Sequence, residues 1–200
     1  MARTQEQRRA ETRRRLLEAA AALFAERGIE GTSVDAIADA AERTSGALYD
    51  HFGSKEGVLS ALLESWTNEV AAVIVAELVV ADTLEAQLAA LWRNFVSPPA
   101  GDGGRWVRLE HELWLYATRN DHVRDQLAQR YRDVWDRITA AVGTWIKAGK
   151  ATPVAGPEQA APLLVALLIG LEMQHRVDPG AVTDEMAVAG LRALLGMEDA

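Results

Sequence analysis

Residues 32–56 read TSVDAIADAAERTSGALYDHFGSKE, and this stretch decides the fold. Val34, Ile37, Ala38 and Ala41 recur at helical spacing and give a short helix one apolar side. Ala47, Leu48 and Phe52 do the same for a second. Thr32 or Ser33 can cap the first helix, Thr44 the second, and Ser54 a third that follows Gly53. Side-chain oxygens at these positions accept hydrogen bonds from backbone N–H groups that a helix start leaves unpaired. Three caps in about twenty residues define two very short helices joined by the turn Glu42-Arg43-Thr44. A pair of this kind forms a compact corner, a helix-turn-helix, whose second member can enter a major groove.

Outward from the corner almost everything reads as helix. A first helix is predicted from Gln5 to Arg27, with Leu16, Ala20, Leu23 and Phe24 on one face and Gly28 as its stop. The helix opened by Ser54 is predicted to run to about Ala81. Asp82-Thr83-Leu84-Glu85 has the form of a capping box and opens a helix to Val96. Ser97 to Arg105 is rich in proline and glycine and reads as a loop. Helices follow over Trp106–Thr118, Asp121–Ala148 and Glu158–Val177, and over Asp184–Leu195 with Thr183 as cap. The expected fold class is therefore all-α. A three-helix segment that contains the corner, residues 1–57, is joined by a fourth helix to a larger helical domain, residues 58–200.

Composition narrows the function classes. The chain has 200 residues, no cysteine and a formal net charge of −8. That excludes a disulfide scaffold, a thiolate metal site and a protein that coats nucleic acid. Charge is unevenly placed. Residues 1–15 hold six arginines against Glu6 and Glu11, a net +4, whereas residues 58–200 hold 12 basic and 19 acidic side chains, a net −7. A basic arm on an acidic body suits contact with phosphate at one end, and a solvated first helix turn would read the same way. The longest uncharged apolar run, Ala160 to Leu171, contains Pro162 and is too short to span a bilayer. A cytoplasmic location is expected.

The spacing of Thr32, Ser33, Ile37, Ala38, Gly46, Ala47, Leu48, Tyr49, His51, Phe52, Ser54, Lys55 and Glu56 resembles the TetR family of transcriptional regulators. The likeness is specific over about the first 60 residues; beyond them only helix order, length and loop placement match. It implies contacts from Tyr49 and His51 to backbone phosphates. Thr32 and Ser33 stand where a helix start offers N–H groups to a phosphate. Lys55 places a cation in a helix's first turn, which the helix dipole disfavours and a nearby phosphate would reverse. Ser45, Gly46 and Ala47 are small enough to let the helix tip approach base edges, and Thr44, which caps that helix, is a further DNA-binding candidate. The family usually has glycine at position 42 and an apolar residue at 43. Here Glu42 is expected in a left-handed backbone, and Arg43 is expected to reach a phosphate or base. The second helix of the corner holds no Lys or Arg, so bidentate reading of guanine from it is not expected.

The body carries all six tryptophans, at positions 66, 92, 106, 114, 135 and 145. Aromatics at helical spacing fill a core as readily as they line a pocket. The resemblance implies an inducer cavity between the central helices, with Trp92, Phe95, Glu110, His111, Trp114, Tyr131, Trp135 and Gln174 as candidates to hold a small hydrophobic or aromatic effector. It also implies a homodimer through the last two helices, which carry Leu163, Leu164, Leu167, Leu168 and Leu171, then Met186, Val188, Leu191, Leu194 and Leu195. The implied function is a repressor released from a palindromic DNA operator by a small molecule. A ligand-independent DNA-binding regulator is the alternative. An enzyme on a helical bundle is disfavoured: Glu172-Met173-Gln174-His175 is a lone Glu-x-x-His, and di-iron sites need two. No catalytic residue, metal site or cofactor is expected.

Overall fold

The computed structural model describes residues 4–65, 81–96 and 105–197, and every described element is a helix or a turn. The helices are α1 (Gln5–Arg27), α2 (Val34–Ala40), α3 (Ser45–Phe52), α4 (55–65), α5 (Leu84–Val96), α6 (Arg105–Ala117), α7 (Asp121–Lys147), α8 (Pro157–Val177) and α9 (Asp184–Leu194). The expected continuation of α4 over 66–80 and the loop over 97–104 lie outside the described residues, as does Arg3.

Caps explain the boundaries. Thr4 and Gln7 form a reciprocal capping box at the start of α1. Ser33 accepts from Ala36 N (3.1 Å), Thr44 from Ala47 N (3.2 Å), Ser54 from Gly57 N (3.1 Å) and Thr83 from Ala86 N (3.1 Å). The α2 helix ends in a Schellman motif: Glu42 N donates to Asp39 O (3.0 Å) and Arg43 N to Ala38 O (2.8 Å). That motif needs a left-handed residue after the cap, and Glu42 supplies it with φ of 56°.

The chain divides into two compact units. The first lies within residues 1–69 and 102–128. Leu16, Phe24, Ile37, Leu48, Val58, Leu59 and Leu113 are among its fully buried side chains, and α1 packs on α2, α3 and α6. Compactness thus groups α6 with the helix-turn-helix. Close approach fixes the α3–α4 step, because a Cβ on Gly57 would lie 1.9 Å from the Phe52 carbonyl oxygen. Ser60 of α4 donates to Gln126 of α7 at 2.8 Å.

The second unit lies within residues 70–101 and 129–200. Its core joins Leu84, Leu88 and Trp92 of α5 to Val142 of α7, Leu164 and Leu168 of α8, and Ala187 and Leu191 of α9. Trp92 is fully buried and donates its indole N–H to Asp184 at 2.7 Å, while His175 meets its ring edge-on at 5.8 Å. The α8 helix is long and apolar enough to cross a membrane by length and composition alone. It nevertheless carries Glu172 and Arg176, paired with each other, and packs against α5 and α9.

The left-handed Glu42 gives a direct test. A non-glycine residue there costs about 1–2 kcal/mol, and its 3.4 Å pair with Arg15 is exposed and returns little. Glu42→Gly is expected to raise stability by about 1 kcal/mol, an increase of about 2–4 °C in Tm. A lower Tm by calorimetry would mean that the Glu42–Arg15 pair outweighs the strain.

Candidate nucleic-acid interface

The second helix of the corner, α3, presents its tip to solvent. Ser45 is half-buried and its hydroxyl donates to Asp35 of α2 at 2.5 Å. Gly46 is exposed and Tyr49 is 54% exposed. Leu48 points the other way, fully buried, so the helix is held by one side and offers the other. Ala47 is half-buried behind Thr44.

Besides Thr44 and Ser45, four expected contact residues are engaged within the protein. Thr32 is only 2% exposed, its hydroxyl lies 2.8 Å from Gly28 O and 3.3 Å from Leu23 O, and its N–H donates to Ile29 O at 3.4 Å. A threonine hydroxyl turned to the carbonyls at the end of α1 completes that helix's C-terminus and is withdrawn from any outside phosphate. Ser33, exposed beside it, is the residue that caps α2. Lys55 Nζ donates to Ile29 O (2.9 Å) and Thr32 O (3.2 Å). An ammonium has three donors, so one remains for a phosphate, and the cation in this first turn already has a structural reason. Arg43 donates to Glu42 O (2.7 Å) and to Thr12 of α1 (3.3 Å), which ties the turn to α1.

His51 of α3 is half-buried and within electrostatic reach of Arg9 and Arg13 of α1. Burial lowers its pKa from the ordinary histidine value, the positive charges of Arg9 and Arg13 lower it further, and Asp50 opposes them. The Arg13 guanidinium lies 5.2 Å above the Phe52 ring. On the adjoining side of α1, Glu11 accepts from Arg15 (2.8 Å) and Arg14 (2.9 Å), which holds its carboxyl down at about 2.

The ligand candidates fall in both units. In the first, Glu110 is buried, His111 half-buried and Trp114 45% exposed. In the second, Trp92 is a core anchor with its donor used by Asp184, and Phe95 packs on the same core. Tyr131 and Trp135 meet at 6.0 Å, and the buried Trp135 N–H has no acceptor among the described residues. Gln174 is exposed and donates to Gly170 O within its own helix. Two open grooves of about 460 and 410 Å³ lie on the first unit, and neither is lined by any of these eight residues. Among the described residues no cluster of His, Asp or Glu could hold a metal. His175 instead bonds Val182 O at 2.8 Å.

Two tests follow from this geometry. Lys55→Met removes two charge-assisted bonds at a part-buried site and is expected to cost the DNA-free protein about 1–2 kcal/mol in urea unfolding. An unchanged midpoint would leave those bonds without structural weight. For His51, whose folded pKa is lowered, stability is intact above about pH 6.5. It declines as pH falls from there through the folded value, because the unfolded chain binds the proton first. His51→Gln is therefore expected to flatten the fall in Tm between about pH 6.5 and 5; parallel Tm curves for the two proteins would contradict it.

Known proteins resemble this chain in sequence and in fold. Residues 16–62 match the family model for bacterial regulatory proteins of the tetR family. Residues 84–199 match the C-terminal model of BetI-type transcriptional repressors. The transcriptional repressor KstR2 of Rhodococcus jostii is 48% identical over 58 residues, 29% of this chain and 28% of that protein. KstR2 of Mycobacterium tuberculosis is 54% identical over 53 residues, 26% of each chain. The matched region thus spans about a quarter of the length of these curated relatives. Among solved structures, Salmonella enterica GusR superposes with a TM-score of 0.79 at 24% identity, covering 92% of this chain and 95% of its own. A transcriptional regulator from Saccharomonospora viridis, determined in complex with choline, gives 0.78 at 24% identity over 95% of this chain and 100% of its own. These structures share the fold. The two family models together span most of both units, and the chain belongs to the TetR family of transcriptional regulators.

Proposed function

We propose that the protein is a homodimeric, cytoplasmic DNA-binding repressor, without enzymatic turnover, that a small molecule releases from a palindromic operator. The observation that carries this reading is the exposed tip of α3, held from behind by buried Leu48, with the Arg13 guanidinium of α1 over Phe52 at the other end of the helix. Ser33, Thr44, Ser45, Gly46, Ala47, Tyr49, His51 and the third donor of Lys55 are its DNA-facing groups. Arg43 joins them by exchanging its bond to Thr12 for a phosphate or base. Residues 1–57 serve as the DNA-binding domain and 58–200 as the effector-binding and dimerisation domain.

Dimerisation is supported by an apolar stripe on α8. Leu163, Gly170, Met173 and Val177 recur at helical spacing, with Met173 49% and Val177 87% exposed, and Met186 of α9 is also exposed. An exposed row of this kind fits a self-complementary two-fold contact, which would pair two half-sites. For the effector, a small hydrophobic or aromatic molecule with one acceptor would satisfy the buried N–H of Trp135. The effector acts by favouring a conformer that separates the two α3 helices differently from the DNA-bound one.

One experiment tests the reading in stages. Duplexes selected from a random pool are expected to share an inverted repeat with half-site centres about 10 base pairs, or a multiple, apart. Light scattering is expected to give twice the 21.7 kDa chain mass. A metabolite library is then screened for compounds that raise Tm and release the duplex. Failure to enrich any sequence removes the regulator reading. Enrichment with no releasing compound favours the ligand-independent alternative.

A further inference from the structure

The arginines of α1 are sorted by the structure into two kinds. Arg14 is held by Glu11 and Glu18 (2.9 and 2.6 Å), and Arg15 by Glu11 and Glu42 (2.8 and 3.4 Å). Arg8, Arg9 and Arg13 are exposed and pair with no carboxylate among the described residues. The capping box at Thr4 and Gln7 keeps this stretch helical from Gln5 onward, so these cations are displayed on a fixed frame.

Arg9 and Arg13 stand one turn apart and share a face, and that face adjoins the end of α3. Arg13 lies over the Phe52 ring, and the charges of Arg9 and Arg13 both reach His51. Two like charges at this spacing repel each other, and they also disfavour the protonated form of His51. In a chain whose net charge is −8, cations kept together without an ion pair among the described residues, and opposed at His51 by Asp50, are what an anion would relieve. Their spacing suits an extended anion. Four residues of helix rise span about 6 Å, and a DNA strand carries one phosphate per about 3.4 Å of duplex axis.

We infer that Arg9 and Arg13 of α1 form, with His51 of α3, a composite edge that binds about two successive phosphates of one DNA strand. This rests on the DNA-binding reading above and adds to it a second contact element outside the helix-turn-helix. Phosphate contacts position a protein on DNA without reading sequence. The edge therefore contributes equally on specific and unrelated duplexes, and it leaves sequence reading to the tip of α3 and to Arg43.

The test is a salt series of fluorescence-anisotropy titrations. Its probes are a labelled duplex selected by the wild-type protein from a random pool and a scrambled duplex of the same length. For Arg9→Gln/Arg13→Gln, the slope of log K against log salt is expected to fall in magnitude by about two per bound protomer. Affinity at about 0.15 M salt should drop at least about tenfold, by the same factor on both duplexes. Arg14→Gln removes one charge from the same helix at a residue already paired, and should leave the slope nearly unchanged. Arg9→Lys/Arg13→Lys keeps the charges while losing the planar stacking on Phe52, and should restore most of the slope, with circular dichroism reporting whether each variant folds. An unchanged slope in the glutamine pair, an equal loss in Arg14→Gln, or no recovery with lysine overturns the composite edge. Wild-type protein that binds neither duplex overturns the DNA-binding reading itself, and the edge with it.

Discussion

The Lys55 ammonium, bonded to the carbonyls of Ile29 and Thr32, is the contact on which the rest of the first unit turns. Chain segments at the end of α1, the start of α2 and the start of α4 meet there. The carbonyls at a helix end and in a tight turn have no intrahelical partners, and leaving them buried and unpaired would be costly. The Thr32 hydroxyl serves the end of α1, and Lys55 serves the turn beyond it. Once those carbonyls are satisfied, α2 leaves the turn in one direction. Gly57, pressed against the Phe52 carbonyl, then fixes where α3 ends relative to α4. The tip of α3 is rigid because everything behind it is fixed, although its own eight residues would be marginal as an isolated helix.

Electrostatics follows the same logic. An acidic protein that must approach a polyanion has to separate its charges, and α1 does so within five turns. Glu11 and Glu18 neutralise the arginines on one face, while the face next to α3 stays positive. Burial lowers the pKa of His51, and the charges of Arg9 and Arg13 on this second face lower it further against the opposing Asp50. Net charge alone would argue against nucleic acid; its distribution reverses that conclusion.

Helix boundaries were legible in the sequence to within a residue or two because caps are local chemistry. Thr4, Ser33, Thr44, Ser54 and Thr83 each serve a backbone N–H three residues on, and such a bond depends on little else. The left-handed state of Glu42 was legible through the family resemblance, which places glycine there. Direction was harder. Nothing local distinguishes a threonine that faces solvent from one whose hydroxyl turns back four residues, as Thr32 does. Nor does sequence show that a lysine will serve carbonyls 26 and 23 positions earlier. Aromatics were the least legible. Trp92 as a core anchor, Tyr131 stacked near Trp135, and exposed Trp114 have the same spacing signal and three different surroundings.

The departure from the family pattern at positions 42 and 43 becomes intelligible through α1. Glycine at 42 would close the Schellman turn at no steric cost, and an apolar residue at 43 would simply pack. Glu42 accepts strain of about 1–2 kcal/mol and places a carboxylate 3.4 Å from Arg15. Arg43 then reaches Thr12, three residues earlier on the same helix. Neither contact is strong by itself, because both are at least partly exposed. Together they join the α2–α3 turn to the charged half of α1, so the start of α3 and the cations beside its end share one support. A residue that relieves strain at the turn would loosen that join. Persistence of strain at a position where glycine is available is what a site that needs alignment more than stability would show.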